Sequence, residues 1–198
     1  MLQAEQTALH LAKLGIDEIY SSPLRRARQT AEVIARPLGL TVTIMEEFKE
    51  LQVGSLEGNA TPENWTLHNE IVKGWLRGYP DLAFPGGGDT FTSLAERLVR
   101  GVRQVTAGKH GRQIVIVGHG GQFTFALGAL CPDADMAATL AAPMSNCAVS
   151  TFETPAGDNG FAPRLIRWAA VDHISGEAAE FAPMHPGAGK TFAGTAQP

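Results

Sequence analysis

A histidine stands at the end of a strongly apolar stretch, IVIVGHGG, residues 114–121. The branched apolar residues predict a buried strand, and His119 follows that strand directly, with glycine on both sides. Glycine lets the backbone and a ligand approach each other closely. An imidazole held at the carboxyl end of a strand can donate a proton, carry a positive charge or act as a nucleophile near neutral pH. A purely structural histidine is the alternative interpretation.

Three arginines crowd the start of a predicted helix in SSPLRRARQTAEVIA, residues 21–35. Arg28 and Glu32 have the i,i+4 spacing of an ion pair on a solvated helix face. Arg26 differs, because it lies beside the apolar face of this helix and next to backbone N–H groups that have no partner in the first turn. An arginine at a helix N-terminus is a typical phosphate ligand. We therefore interpret Arg26 as a candidate phosphate clamp, with a solvated surface residue as the alternative.

Carboxylates for acid–base chemistry occur in and just before FKELQVGSLEG, residues 48–58. All of them suit a solvated loop, and composition alone does not choose a general acid among them. These residues are Glu46, Glu47, Glu50 and Glu57.

The remaining histidines are interpreted as structural. His110 precedes a predicted strand, so it should lie at the opposite end of the sheet, in a turn. His10 and His68 fall in helical segments as surface or packing residues. His173 follows the last predicted strand and could close over a pocket, and His185 lies near the C-terminal end.

Composition and charge exclude several classes of function. A chain of 198 residues suits one domain, and a net charge of −4 gives no electrostatic case for nucleic acid or an anionic membrane. No apolar run is long enough to cross a bilayer, and the N-terminus lacks the order of a signal peptide. Cys131 and Cys147 suit reduced thiols, and no CxxC or HExxH motif favours a metal site. We expect a cytoplasmic protein, with its oligomeric state open.

Helical and strand patterns alternate along most of the chain. Helices are predicted at about 2–14, 23–36, 64–76, 93–107 and 122–130, and strands at 17–22, 41–45, 114–118, 147–153 and 164–171. Ser22 is predicted to cap the second helix, and SLAE at 93–96 to form a capping box. The alternation favours a three-layer α/β/α fold with a mostly parallel sheet, whose ligands bind beyond the carboxyl ends of the strands. We predict a domain over 1–174 and a disordered tail over 175–198.

Three of these segments follow one another as they do in the histidine phosphatase superfamily, the phosphoglycerate mutase-like proteins. IYSSPLRRARQTAEVIA resembles that family's second signature, FKELQVGSLEG its acidic segment and IVIVGHGG its second histidine motif. PMSNCAVSTFE and RWAAVDHI are similar to its last strands. The resemblance covers most of residues 1–174 and implies a phosphoglycerate mutase-like fold.

The resemblance also implies roles. Arg26 would clamp the transferring phosphoryl group and His119 would hold its oxygens, while Glu50 would protonate the leaving oxygen and then activate water. The further phosphate-binding residues would be Ser22, Gly120 and Asn146. A phosphoryl group spreads close to two negative charges over three oxygens, so fixed cations and N–H donors can stabilise it. The substrate would be a small phosphorylated molecule, and no cofactor or metal is implied.

The family's first motif, a strand ending in Arg-His-Gly, has no match in these residues. Its histidine is the nucleophile of the family. We expect either a true start upstream of Met1 or a pseudoenzyme that binds phosphate esters or a protein, and an unrelated α/β binding domain is the third possibility. Family topology places the missing strand between 114–118 and 147–153, where its loss leaves unpaired edges. We therefore expect this chain to be poorly folded and inert toward an aryl phosphate.

Phosphatase and mutase chemistry share such a pocket and differ in whether water or a second substrate hydroxyl accepts the phosphoryl group. The stretch 54–90 contains no obvious lid to exclude water, which favours a phosphatase over a phosphoglycerate mutase-type transfer. Asp89 stands where the family commonly has Glu, and Gly121 is the second residue after His119. The substrate therefore stays open among sugar phosphates, nucleotides and cofactor precursors.

Overall fold

Two sheets and six α-helices make up the part of the chain that the computed structural model describes, residues 1–142, 144–155 and 161–180. The helices are α1 Leu2–Leu11, α2 Arg25–Leu38, α3 Pro62–Leu76, α4 Phe91–Thr106, α5 Gly120–Leu130 and α6 Met136–Ala141. The strands are β1 Glu18–Ser21, β2 Val42–Ile44, β3 Ile114–Val117, β4 Val149–Glu153 and β5 Arg164–Ala170. The first three strands form a parallel sheet in the order β2–β1–β3, and β4 and β5 form a separate antiparallel pair.

Helices cover both faces of the parallel sheet, as the alternating pattern predicts. Residues of β3 alternate between the two faces. Val115 and Val117 pack against the cluster that α1 and α2 form around Ile19. Ile114 and Ile116 pack against the larger cluster that α4 and α5 form on the other face. The predicted α/β class with a mostly parallel sheet is confirmed.

Two helix starts differ from the prediction. Helix α2 begins at Arg25 and its N-cap is Leu24, so Ser22 and Pro23 precede the helix. Ser22 does not cap it, and its Oγ accepts a hydrogen bond from the Leu24 N–H at 3.2 Å instead. Helix α4 begins at Phe91, and Thr90 and Ser93 form its capping box, so the box predicted at SLAE is also wrong.

Helix α6 was not predicted from the sequence. It has six residues, too few to show a helical period, and it follows the N-cap Asp135, whose side chain accepts from the Ala138 N–H at 3.0 Å. A short capped turn of this kind depends on its cap rather than on an apolar stripe.

Strand β3 has a strand partner on one edge only among the described residues, because β4 belongs to the other sheet. All four residues of β3 are partly exposed, whereas Ile19 in the neighbouring β1 is 1% exposed. A strand inside a parallel sheet is ordinarily buried. The resemblance would place a further strand at this edge, and that strand stays a prediction.

The C-terminal part departs from the predicted tail. Residues Gly176–Glu180 form a short 3-10 helix in which Ala178 is buried. Gln3 Nε2 donates to the Ala178 carbonyl at 3.0 Å, and the Ser175 N–H donates to Gln6 Oε1 at 2.9 Å. Residues 175–180 therefore belong to the folded part, and the disorder predicted for 181–198 lies outside the described residues. Over the described ranges, no helix is long and apolar enough to cross a membrane.

Candidate functional site

The candidate site begins where β1 and β3 end side by side. Ser21 pairs with Val117 in the parallel register, so the residues that follow them emerge at the same edge of the sheet. Ser22 and His119 are both buried there, and Ser22 Oγ lies 2.7 Å from His119 Nε2. The two strand ends that the sequence marked as chemically interesting are therefore in contact.

The surroundings of the His119 imidazole favour its neutral form near pH 7. Burial, followed by the positive charges of Arg26 and Arg97, lowers its pKa from 6.5 to about 4. In the Nδ1–H tautomer, Nε2 accepts the proton of the Ser22 hydroxyl, whose oxygen also accepts from the Leu24 N–H. An anion placed beside the ring would favour the imidazolium, so this histidine can become a cation when a phosphate binds.

Glu50 caps the helix that starts after His119. Its Oε1 accepts from the Gln122 N–H at 2.8 Å and from the Leu51 N–H at 2.9 Å. Gln122 is the third residue of α5, so its N–H has no partner within the helix, and a carboxylate is favourable at this positive helix end. A Cβ on Gly121 would lie 2.9 Å from Oε1, so only glycine lets the carboxylate approach this closely.

Arg26 completes the cluster from α2. Its Nη2 lies 3.9 Å from Glu50 Oε2, beyond hydrogen-bond distance, and its side chain is 65% exposed, whereas that of Glu50 is 21% exposed. At this distance the guanidinium keeps its fork of donors available for an incoming anion. The structure thus brings together Arg26, Glu50 and His119.

A family model described as the histidine phosphatase superfamily (branch 1) matches residues 1–167. The chain belongs to this superfamily. Phosphoglycerate mutase-like protein 4 of Arabidopsis thaliana is 29% identical over 174 residues, which are 87% of this chain and 73% of that protein. The metal-independent phosphoserine phosphatase of A. thaliana is 34% identical over 114 residues, but these are 55% of this chain and only 48% of the relative.

Solved structures of a mycobacterial phosphatase share the fold. The mycobacterial glucosyl-3-phosphoglycerate phosphatase complexed with VO3 has a TM-score of 0.68 at 25% identity, over 85% of this chain and 83% of that one. Its complex with inorganic phosphate has a TM-score of 0.70 at 24% identity, over 87% of this chain and 86% of that one. Because the sequence identity to the phosphate complex is only 24%, that similarity shows a shared fold and nothing more.

Asp89 and Arg97, which were not among the predicted site residues, form a buried ion pair beside the segment that carries Glu50. Arg97 Nη2 lies 2.7 Å from Asp89 Oδ2, and the two side chains are 13% and 7% exposed. Arg97 Nη1 also donates to the Lys49 carbonyl. A signal existed in the sequence, because Arg97 follows the buried Leu94 by three residues and precedes the buried Gly101 by four. A charged residue on an apolar helix stripe usually has a buried partner.

Two further predicted site residues, Gly120 and Asn146, differ in their distance along the chain from this cluster. Gly120 is the first residue of α5, directly after His119. Asn146 is exposed in the turn before β4, and no contact with Arg26 or Glu50 is seen in the described residues. The roles of Gly120 and Asn146 stay predictions.

The other described histidines have structural surroundings. His10 and His173 stack with ring centroids 4.9 Å apart, and His173 Nε2 lies 3.0 Å from Thr7 Oγ1 and 3.1 Å from the Cys147 carbonyl oxygen. His173 therefore ties α1 to the turn before β4, and does not reach the candidate site through these contacts. His110 lies exposed in the turn before β3, as predicted.

Proposed function

We propose that this chain carries the phosphate-binding and acid–base residues of a phosphomonoester phosphatase of the histidine phosphatase type. The observation that carries the proposal is the convergence of His119, Glu50 and Arg26 at the carboxyl end of the parallel sheet. Two of the three are cations or can become cations, which suits an ester with close to two negative charges.

Each residue has a distinct task in this proposal. The exposed guanidinium of Arg26 binds two phosphate oxygens as a fork, and His119 binds a third as the imidazolium. Glu50 sits between them and donates a proton to the leaving oxygen, then accepts a proton from the attacking water. Its two backbone N–H bonds hold one carboxylate oxygen, so Oε2, on the Arg26 side, is the oxygen that exchanges the proton.

The covalent step needs a second histidine, which the family supplies from its Arg-His-Gly strand. In that step the nucleophilic nitrogen forms a bond to phosphorus, the ester oxygen leaves with the proton from Glu50, and water later cleaves the phosphohistidine. We propose that a strand carrying this nucleophile pairs with the open edge of β3. The alternative is a pseudoenzyme that binds phosphate esters or a protein partner without this step.

The short stretch between Gly54 and Thr90 favours hydrolysis over phosphoglycerate mutase-type transfer. It contains the 3-10 helix Gly54–Leu56, one α-helix, α3, and a glycine-rich turn, and its most exposed large hydrophobic residue is Tyr79. A mutase must keep water from the phosphohistidine, which calls for a covering segment. The similarity to a named phosphoserine phosphatase supports the same choice.

The phosphate site is tested by titrating the 198-residue chain with orthovanadate or inorganic phosphate in a calorimeter. We expect Arg26→Gln and His119→Asn each to weaken binding by about tenfold or more, since each removes a charge-assisted hydrogen bond. Arg28→Gln is the matched control, because Arg28 is exposed on the same helix and should leave binding unchanged. Equal effects of R26Q and R28Q would refute the proposed site.

Turnover separates the enzyme from the pseudoenzyme. We expect the 198-residue chain to leave 4-nitrophenyl phosphate intact and to form no acid-labile phosphohistidine. If the codons upstream of Met1 encode a strand ending in Arg-His-Gly, the longer protein should hydrolyse 4-nitrophenyl phosphate and form the phosphohistidine. A stop codon or unrelated sequence there, together with vanadate binding by the 198-residue chain, would establish the binding protein instead.

A further inference from the structure

The buried ion pair between Asp89 and Arg97 makes hydrogen bonds to the backbone of Lys49, Glu50 and Gln52. We propose that Asp89 and Arg97 are positioning residues that fix Glu50 against the start of α5, an inference that rests on the proposed role of Glu50 as the proton donor. Both would act by holding Glu50, while Arg97 also acts on His119 through its positive charge.

Arg97 holds the backbone on both sides of the Glu50 Cα. Its Nη1 donates to the carbonyl oxygen of Lys49, and its Nη2 lies 3.4 Å from the carbonyl oxygen of Glu50 itself. The same Nη2 pairs with Asp89 Oδ2 at 2.7 Å. One guanidinium therefore contacts three oxygens, a geometry that a lysine ammonium on a flexible stem does not reproduce.

Asp89 holds the backbone just after Glu50. The Gln52 N–H donates to Asp89 Oδ2 at 2.9 Å, and the Asp89 N–H donates back to the Gln52 carbonyl at 2.7 Å. Asp89 Oδ1 accepts from Ser93 Oγ at 2.9 Å, which ties the carboxylate to the first turn of α4. Residues 49, 50 and 52 are thus bound to one helix through two side chains.

The far end of Glu50 is bound to a different helix. Its carboxylate accepts from the Gln122 N–H, and the buried Gln122 side chain donates through Nε2 to the Glu47 carbonyl at 2.6 Å. Helix α5 starts directly after His119, so this contact sets the distance between the acid and the imidazole. With its backbone held by α4 and its carboxylate held by α5, Glu50 keeps little freedom to move.

A general role in core stability explains these contacts less well. A buried ion pair is weak support for stability, since well-packed apolar residues often replace such pairs without loss. The recorded hydrogen bonds of Arg97 go to Asp89 and to the backbone of 49–50, and none goes to the sheet. The pair therefore serves the segment that carries Glu50.

Amide hydrogen exchange of Leu51 and Gln122 tests the proposal in the 198-residue chain. Both amides donate to Glu50 Oε1, so their protection reports where that carboxylate is. We expect Asp89→Asn and Arg97→Lys to accelerate exchange at these two amides on the order of ten- to a hundredfold, because each loses a charge-assisted hydrogen bond. Glu50→Ala, which removes the acceptor itself, should have the same effect. Amides in the middle of α5 should change much less.

Val105→Ala is the matched control for simple destabilisation. Val105 is buried on α4, eight residues beyond Arg97, and makes no polar contact with the pair. It should accelerate exchange evenly over the protein. If D89N and R97K also act evenly, or if the wild-type Leu51 and Gln122 amides show no protection, the positioning role is wrong. R97K keeps the charge, so it preserves a testable fold if D89N does not fold.

Leaving-group dependence adds a readout that a structural role would not move. In a form of the protein that hydrolyses phosphate esters, D89N should lower kcat for an alkyl phosphate about tenfold more than for 4-nitrophenyl phosphate, whose leaving group needs little protonation. Equal losses for both esters would overturn the proposal. Vanadate binding by D89N should stay within about twofold of the wild type. Failure of vanadate binding in the wild type would sink the proposed function, while selective exchange at Leu51 and Gln122 would still support the positioning.

Discussion

Replacing His119 by asparagine should remove much of the chain's loss of stability in mild acid. Burial, then Arg26 and Arg97, lower the pKa of this imidazole from 6.5 to about 4 in the folded chain. Between these two values the unfolded chain binds a proton at His119 and the folded chain does not. Stability therefore rises with pH across this window, and acid favours unfolding.

The size of the effect follows from the two pKa values. The difference of about 2.5 between the pKa values of 6.5 and 4 corresponds to a maximum loss of about 3 kcal/mol in the free energy of unfolding. Above about pH 7 both states are neutral and the loss is close to zero; near pH 5.5 it is about 1.4 kcal/mol and near pH 4 about 3 kcal/mol. His119 is 6% exposed, so solvent screens this cost little.

Urea unfolding of the wild type and His119→Asn at about pH 7, 5.5 and 4, in buffers without phosphate, measures the difference. The wild type should lose about 3 kcal/mol more than H119N between the highest and lowest pH, while the other titrating groups cancel in the comparison. His110→Asn, which changes an exposed turn histidine, should follow the wild type. Parallel curves for wild type and H119N would refute the account of a buried, neutral imidazole.

Three further predictions concern the same site and the thiols. Saturating phosphate should raise the pKa of His119 in an NMR titration, because the bound anion favours the imidazolium; an unchanged pKa would contradict its role as a phosphate ligand. Gly121→Ala should displace the Glu50 carboxylate and accelerate hydrogen exchange at the Gln122 amide, which donates to it. Gly128→Ala on the same helix should not, because the added Cβ meets only the flexible side chain of Met136 at 3.3 Å. Burial and a nearby aspartate raise the pKa of Cys131 to about 11, so native protein should be alkylated by iodoacetamide there far more slowly than urea-unfolded protein, as mass spectrometry of the labelled peptide would show.

The sequence predicts the scaffold of the site well because local periodicity determines it. Apolar runs and helical stripes identified all five strands and five of the six α-helices of the described part. Parallel pairing then brings the ends of β1 and β3 to one edge, so the contact between Ser22 and His119 follows from two strand assignments and one rule of topology.

The resemblance, rather than the spacing, singled out Glu50 among four carboxylates. What distinguishes Glu50 in the fold is its hydrogen bond from the Gln122 N–H, 72 residues further along the chain, and no local pattern encodes that contact. The place of Arg97 on the apolar stripe of α4 suggests a buried partner, but no local pattern shows that it reaches Lys49, 48 residues away. Side-chain hydrogen bonds between distant segments depend on how the layers pack. The residues that orient the site could therefore not be predicted from the sequence.

The helix starts show the same competition between local and distant partners. Ser22 has the side chain of a good N-cap, and a local rule places it at the start of α2. In the fold its hydroxyl meets His119 instead, and α2 begins three residues later without a side-chain cap. A contact in the site has overridden a local preference, which is typical of functional positions.

Binding and turnover are separable in this site because they draw on different parts of the sheet. The cations and N–H donors that we propose would hold a phosphate come from the ends of β1 and β3 and from α2 and α5. A strand added in parallel at the open edge of β3 would end beside His119, since carboxyl ends of parallel strands share one edge. A nucleophile at that strand end would face the phosphate from the side opposite β1. Vanadate affinity should therefore depend on Arg26 and His119 with or without that strand, while phosphohistidine formation should require it.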